Sequence, residues 1–349
     1  MSEAILIDVL PAHRLDEAKL AAYLKGRIPG VEHGIQIKQF QGGQSNPTYQ
    51  LTIADKRYVL RKKPPGKLLP SAHMVEREYQ VISALGQTDV PVPTAHLLCE
   101  DPEVIGTAFY IMDHVEGRVH SHPLLEKVDS EQRMSIHRSM IETMAKLHKV
   151  DWKGVGLESY GKHEGYVPRQ IKRWSSQFEA SRTGDMPSMD ALMAWLPENA
   201  PQDDVTTIAH GDFRIGNLIL HPEKPEVVAI LDWELATLGH PLSDLAYCCL
   251  PYHQSVGFEG MRGLKGLNLK EFNVPEEQQV LDWYCEFTGR SGIPDWNFFL
   301  AFSLFRLAAI VQGVYHRALQ GNASNADALE VGKRASLLAD VGWEIAQRK

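Results

Sequence analysis

The stretch IAHGDFRIGNLIL, residues 208–220, sets four polar side chains between two apolar runs. The apolar runs read as strands, and the loop between them carries His210, Asp212, Arg214 and Asn217. A lone Asp in a turn is most often a turn former or a helix cap, because its carboxylate accepts a nearby backbone N–H. The surroundings argue for more. After a short strand and a hydrophilic break from His221 to Pro225, the apolar run VVAIL ends at Asp232. Two adjacent strands joined by such a turn would bring Asn217 near Asp232. A carboxamide oxygen and a carboxylate are hard oxygen donors of the kind that hold Mg²⁺. Asp212 would then stand at the near edge of the same place, free to accept a proton.

Phosphoryl transfer uses this set: a base for the attacking hydroxyl, two oxygen donors for a metal, and a cation on the phosphates. Positioning and charge neutralisation do most of the catalysis, so few side chains suffice. H-G-D-x-x-x-x-N at 210–217, followed by Asp232, resembles the H-R-D-x-x-x-x-N and D-F-G signatures of protein kinases. HGD replaces HRD, and DWE replaces DFG. In this form the pattern is similar to that of the aminoglycoside phosphotransferase and choline kinase branch of the kinase-like fold. The resemblance runs from residue 35 or so to residue 320. It implies an α+β, bilobal protein-kinase-like fold, with a β-rich N-lobe containing one main helix and a mostly helical C-lobe. It also implies Asp212 as catalytic base, Asn217 and Asp232 as Mg²⁺ ligands, ATP as phosphoryl donor, and His210 as a brace for the loop. Within the family, YVLRKKPPGKLLPSAHMVEREYQVISAL (58–85) resembles the kinase-like domains fused to acyl-CoA dehydrogenases more than the antibiotic-resistance enzymes.

Upstream, residues 14–28 have helical apolar spacing. IQIKQFQ (35–41) and PTYQLTI (47–53) alternate apolar and polar residues as strands do, around GGQSN. A kinase places its phosphate-covering loop at such a junction, so Gly42, Gly43, Ser45 and Asn46 are candidate nucleotide contacts. Glycines there let backbone amides approach phosphate oxygens, although the same residues also make a plain hairpin. KRYVLRKKP (56–64) is a third strand. The position of the phosphate-gripping kinase lysine falls on Arg61, with Lys62 beside it. Strand alternation sends the two to opposite faces, and Arg61 is the one expected to face the ligand. SAHMVEREYQVISAL (71–85) reads as a helix opening at Ser71. Its Glu76 and Glu78 cannot share a face. The resemblance makes Glu78 the partner of Arg61. Two more strands follow, in PTAHLLCE and AFYIMDHV. Backbone groups of Met112, Asp113 and His114 are the implied adenine readers.

From residue 129 the pattern turns helical. Ile136, Met140, Met144 and Leu147 share one face of a long helix, where methionines are usually core. A Trp-containing helical region spans 167–198, and helices continue to the end. The expected organisation is a β-rich lobe over 1–113 and a helical lobe over 114–349, with a ligand cleft between them and the boundary inside 113–121. Asp244, in GHPLSDLAY, is expected to cap a helix or brace the catalytic loop. Trp233 and Glu234 replace the Phe-Gly of protein kinases, which predicts a segment less able to flip.

The chain has 349 residues, 44% hydrophobic and 23% charged, with a net charge of −8. That supports a sizeable core and argues against a generic nucleic-acid binder. The four cysteines form no CxxC pair, so a zinc site and a disulfide framework are both disfavoured, and a cytoplasmic setting is expected. No signal peptide or membrane span is expected, because Arg306 interrupts the longest apolar run. The acceptor is expected to be a small-molecule hydroxyl. Arg169, Lys172, Arg173, Arg182 and Arg317 suggest an anionic or CoA-linked compound, such as a hydroxyacyl-CoA. They also suit a merely solvated helix face. An aminoglycoside, choline or sugar acceptor is the alternative within the fold, and a non-catalytic nucleotide-binding regulator is the alternative outside catalysis.

Overall fold

The computed structural model describes residues 5–41, 46–64, 73–256, 262–320 and 334–348, together with Leu329 and Gly332. The chain forms two compact units. One comprises residues 1–120 and 216–236, the other 121–215 and 237–349. The first unit is discontinuous: it includes 216–236, within the 114–349 span expected for the helical lobe.

The first unit is built on an antiparallel sheet of six strands: β1 (Leu6–Ile7), β2 (Ile35–Phe40), β3 (Thr48–Ile53), β4 (Lys56–Lys62), β5 (Ala95–Cys99) and β6 (Phe109–Asp113). Their spatial order is β1-β2-β3-β4-β6-β5. Alternation decides the two faces. Tyr58 and Leu60 of β4 join Tyr49, Leu51, Ile53, Phe109 and Ile111 in a core with Leu20 and Leu24 of α1 (Glu17–Leu24). Lys62 continues that face and is buried, whereas Arg61 points the other way. On Arg61's side lies α2 (Val75–Leu85), which buries Val75, Glu78, Val81, Ile82 and Leu85. Its first residue is Val75; Ser71, the expected cap, lies outside the described residues. The short helix α3 (Pro102–Ile105) links β5 to β6.

In the second unit, α4 (Ser130–Lys149) buries Ile136, Met140, Met144 and Leu147, so its methionines are core. The expected helical region resolves into α5 (Tyr166–Ser181) and α6 (Pro187–Glu198). Strand β7 (Thr207–Ala209) leads into the HGD loop. Back in the first unit, β8 (Leu218–Leu220) pairs antiparallel with β9 (Val227–Ile230). In the second, β10 (Thr237–Gly239) pairs with β7 and runs into α7 (Pro241–Cys249), followed by α8 (Glu277–Thr288), α9 (Trp296–Leu319) and α10 (Arg334–Ala346). By length and composition α9 is apolar enough to cross a membrane, but 67% of its apolar window is buried inside the fold. All four cysteines are free thiols.

Candidate active site

In the first unit, the β8–β9 hairpin does what the spacing predicts. Leu218 pairs with Ile230, and the Leu231 N–H donates to the Asn217 carbonyl at 2.8 Å. Asn217 and Asp232 are thus set at the same end of the hairpin. Asp232 adopts a left-handed backbone, φ 65° and ψ 63°. A non-glycine residue held there is strained, and such strain persists where a side chain must be aimed. Gly117 presses against the same hairpin: a Cβ on it would lie 2.2 Å from the Leu220 carbonyl oxygen. Next to it, Arg118 N–H donates to that carbonyl at 2.8 Å.

Arg61 is the centre of a charged cluster in this unit. Its Nε stands 3.0 Å from Glu78 Oε2, and its Nη2 donates to Asp232 Oδ1 at 2.8 Å, with Glu234 Oε2 at 3.7 Å. Arg61 and not Lys62 therefore meets the acidic residues, and Glu78 is its helix partner; Glu76 pairs with Lys63 instead. Glu78 is 1% exposed. Burial pushes its carboxyl up to about 7, against the pull of the Arg61 guanidinium. Burial also disfavours the charge on Arg61, but Glu78, Tyr110, Asp232 and Glu234 together raise its pKa above the ordinary arginine value. The Glu78 oxygens are further satisfied by the Asn46 amide at 2.9 Å and the Tyr110 hydroxyl at 3.1 Å.

Not every expected nucleotide contact takes the form the sequence suggests. The Asn46 carboxamide donates to Glu78 and meets His73 Nδ1 at 3.1 Å, so it organises the ion pair. Gly42, Gly43 and Ser45 lie outside the described residues. At the strand end expected to read adenine, Met112 is buried. The Asp113 N–H donates to the Thr94 carbonyl and the His114 N–H to the Arg57 carbonyl. Those two amides are engaged within the unit, because β6 is flanked by β4 and β5 and its backbone groups complete the sheet.

The second unit holds Asp212. Gly211 has φ +83°, a conformation glycine adopts without penalty, which explains the glycine in HGD. Both amides before Asp212 are clamped by one buried carboxylate: Asp244 Oδ2 accepts the His210 N–H at 2.6 Å and Oδ1 the Gly211 N–H at 2.8 Å. Burial alone would raise the Asp244 pKa, but the hydrogen bond and charge of His148, with His210 and the Gly211 N–H, hold it below the usual carboxylate range. His148 Nε2 lies 3.3 Å from Asp244 Oδ2, and Nδ1 lies 2.8 Å from the Tyr284 hydroxyl. A carboxylate only accepts, so Nε2 carries a proton towards Asp244. The Arg306 guanidinium donates to the Gly211 carbonyl, and His210 Nδ1 accepts the Asp212 N–H at 3.2 Å. Loop geometry is therefore fixed from α4, α7, α8 and α9.

The Asp212 carboxylate accepts from Arg214 Nε at 3.2 Å on both oxygens, and the Tyr247 hydroxyl bonds it as well. The guanidinium of Arg262 lies within electrostatic range of Asp212, Arg214 and Tyr247. Sequence reasoning named Asp212, Asp244 and His210 but missed His148, Tyr284, Tyr247, Arg262 and the role of Arg306. Only Arg306 left a signal, as a lone charge in the apolar run of α9. Of the helix cations expected to meet an acceptor, Arg169 donates to the Lys162 carbonyl and Arg182 pairs with Glu179 and Asp190. Among the described residues no three His, Cys, Asp or Glu side chains cluster as a metal site. The oxygen donors Asn217 and Asp232, with Glu234 near the same guanidinium, suit Mg²⁺ rather than a transition metal.

An antiparallel sheet whose strand β4 shares an ion pair with helix α2, an H-G-D loop braced from helices, and an oxygen-donor hairpin define a kinase-like phosphotransferase. The chain belongs to the phosphotransferase enzyme family (APH), whose model matches residues 36–279. A crystal structure from Ralstonia eutropha, provisionally described as an aminoglycoside phosphotransferase, is 44% identical and superposes with a TM-score of 0.88. That match covers 96% of this chain and 99% of that one. The aminoglycoside phosphotransferase APH(4)-Ia, crystallised with ADP and hygromycin B, shares the fold at 13% identity and a TM-score of 0.62, over 95% of this chain and 99% of its own. Mouse acyl-CoA dehydrogenase family member 10 is 44% identical over 95% of this chain and 31% of its own length. Human member 11 is 40% identical over 99% and 45%. The chain thus spans less than half the length of these curated relatives.

Proposed function

We propose that this phosphotransferase moves the γ-phosphoryl group of ATP to a hydroxyl of a small anionic molecule, with a hydroxyacyl-CoA as the first candidate. The observation that carries the reading is the Asp212 loop: a carboxylate whose backbone is clamped by Asp244 and Arg306 and whose oxygens are held by Arg214 and Tyr247. Such a group is pre-positioned to take the proton of an attacking hydroxyl. Asn217 and Asp232 would hold Mg²⁺, which supplies charge neutralisation on the phosphates when bound. Arg61, fixed by Glu78, would grip phosphate oxygens through its planar fork, a bidentate mode that a lysine lacks.

Use of ATP is supported by the ADP and AMP-PNP bound in the family's structural neighbours. The acceptor class is supported by charge. An aminoglycoside is a polycation and would meet Arg214 beside the base, whereas an anionic acceptor is attracted there. Kinship with acyl-CoA dehydrogenase family members supports a CoA-linked compound. The test is ADP release and product mass with 4-hydroxyacyl-CoA, hygromycin B and choline as acceptors. Phosphorylation of the CoA ester is expected; turnover of the antibiotic or choline without turnover of the ester would overturn the acceptor assignment.

A further inference from the structure

We infer that Arg61 is the resident cation of the Asp232 carboxylate, keeping divalent metal from it until nucleotide arrives and the guanidinium passes to the phosphates. The inference rests on the proposed roles of Asp232 and Arg61 and extends them to the order in which ligands enter.

Arginine stands here where the kinase pattern has lysine. A lysine presents one compact ammonium, whereas an arginine presents a planar fork that can face two carboxylates at once. Arg61 does so. Its Nε faces Glu78 Oε2 at 3.0 Å, and its Nη2 donates to Asp232 Oδ1 at 2.8 Å. The two carboxylates differ in freedom. The Glu78 side chain is 1% exposed and is held by the Asn46 amide and the Tyr110 hydroxyl. The Asp232 side chain is 33% exposed, and Glu234, 3.7 Å from the same Nη2, is 27% exposed. The fork is anchored at its buried end and open to solvent at the other.

Asp232 Oδ1, bonded to a guanidinium, is not free to bind a metal ion, and the fixed positive charge beside it repels one. Sites for Mg²⁺ commonly consist of one or two carboxylates completed by substrate phosphates. Asn217 and Asp232 make such a partial set. Nucleotide phosphates supply the oxygens it lacks and also a new anion for Nη2. Nη2 then turns from Asp232 to a phosphate oxygen, and the released carboxylate joins Asn217. Asp232 has a cationic partner both before and after this exchange.

The test reads Mn²⁺ binding, a probe for Mg²⁺, by electron paramagnetic resonance of the full chain with and without AMP-PNP. Asp232→Asn should leave the Mn²⁺ affinity of the nucleotide-free protein within about twofold of wild type, because Arg61 already occupies that carboxylate. In the complex with AMP-PNP the same substitution should weaken Mn²⁺ binding at least about tenfold. Arg61→Met combined with Glu78→Gln removes the fork and its buried partner without changing net charge. This double variant should bind Mn²⁺ without nucleotide at least about tenfold more tightly than wild type, and adding Asp232→Asn should abolish the gain. Loss of nucleotide-free Mn²⁺ affinity in Asp232→Asn, or no gain in a folded double variant, would overturn the inference. If the double variant does not fold, the two Asp232→Asn measurements decide alone. No effect of Asp232→Asn in either state would instead refute the metal role proposed for Asp232, and the inference with it.

Discussion

Nη2 of Arg61 donates to Oδ1 of Asp232 at 2.8 Å, while Nε of the same guanidinium stands 3.0 Å from Oε2 of Glu78. One side chain thus joins β4, α2 and the strained end of the β9 strand. Removing it leaves Glu78 buried beside further carboxylates with no counter-ion. We predict that Arg61→Met lowers unfolding free energy by about 3–5 kcal/mol, the usual cost of breaking a buried pair from one side. Adding Glu78→Gln should recover part of that loss in denaturant titrations. A double variant no more stable than Arg61→Met would show that the pair contributes little.

The same contact predicts how the protein answers metal removal. Arg61 already neutralises Asp232, so the nucleotide-free fold does not depend on a divalent cation. Chelation with EDTA should stop phosphoryl transfer yet leave the melting temperature of the nucleotide-free protein unchanged. A large fall in melting temperature would mean that the acidic cluster needs a metal to stay folded.

Gly117 lies against the hairpin that aims Asn217 and Asp232. Its added methyl would collide with the Leu220 carbonyl, which is backbone and cannot rotate away. Gly117→Ala is expected to destabilise by about 1–3 kcal/mol, the range for overpacking, and to raise the KM for Mg-ATP. Wild-type values for both would place the hairpin elsewhere.

Tyr284 tests the support of the Asp212 loop. Tyr284→Phe removes the hydrogen-bond partner of His148 Nδ1 and leaves that buried nitrogen unpaired, at a cost of about 1–3 kcal/mol. Because His148 in turn holds Asp244, kcat should fall more than the KM for ATP rises. A stability loss with unchanged kcat would make the relay structural only.

His137 gives a pH signature. It is buried, its Nε2–H donates to the Pro123 carbonyl at 2.9 Å, and burial lowers its pKa to about 4. The unfolded chain, with an ordinary histidine near 6.5, binds this proton first. Stability from His137 is therefore present above about pH 6.5 and lost as pH falls towards 4, by roughly 2–4 kcal/mol. His137→Gln should flatten that part of the pH–stability curve; an unchanged slope would assign it to other groups.

Much of this was legible in the sequence. Period-two alternation gave the strands around Arg61, and two short apolar runs with a polar break gave the hairpin joining Asn217 to Asp232. The H-G-D spacing singled out Asp212. What stayed hidden depends on contacts distant in sequence. Arg61 meets Asp232 across 171 residues and His148 meets Tyr284 across 136, and no local pattern marks either pair. The partners of the Asp113 and His114 amides, the Thr94 and Arg57 carbonyls, were not legible, because the neighbours of a strand are set by the sheet and not by its own sequence. The bond from the Asn46 amide to Glu78 spans 32 residues, and nothing local in the sequence marks it. The helical region expected over 167–198 divides at 182–186, where Gly184 and Asp185 precede Pro187.

The central claim is that Asp212 accepts the acceptor's proton, and Asp212→Asn tests it most directly. The substitution keeps size and most hydrogen bonds but removes the base. Single-turnover phosphoryl transfer to 4-hydroxyacyl-CoA should fall by about 10²–10⁴-fold, the range for general-base catalysis, while the Kd for Mg-ATP by calorimetry stays within twofold or so of wild type. Transfer at the wild-type rate by Asp212→Asn, with nucleotide binding intact, would contradict the account.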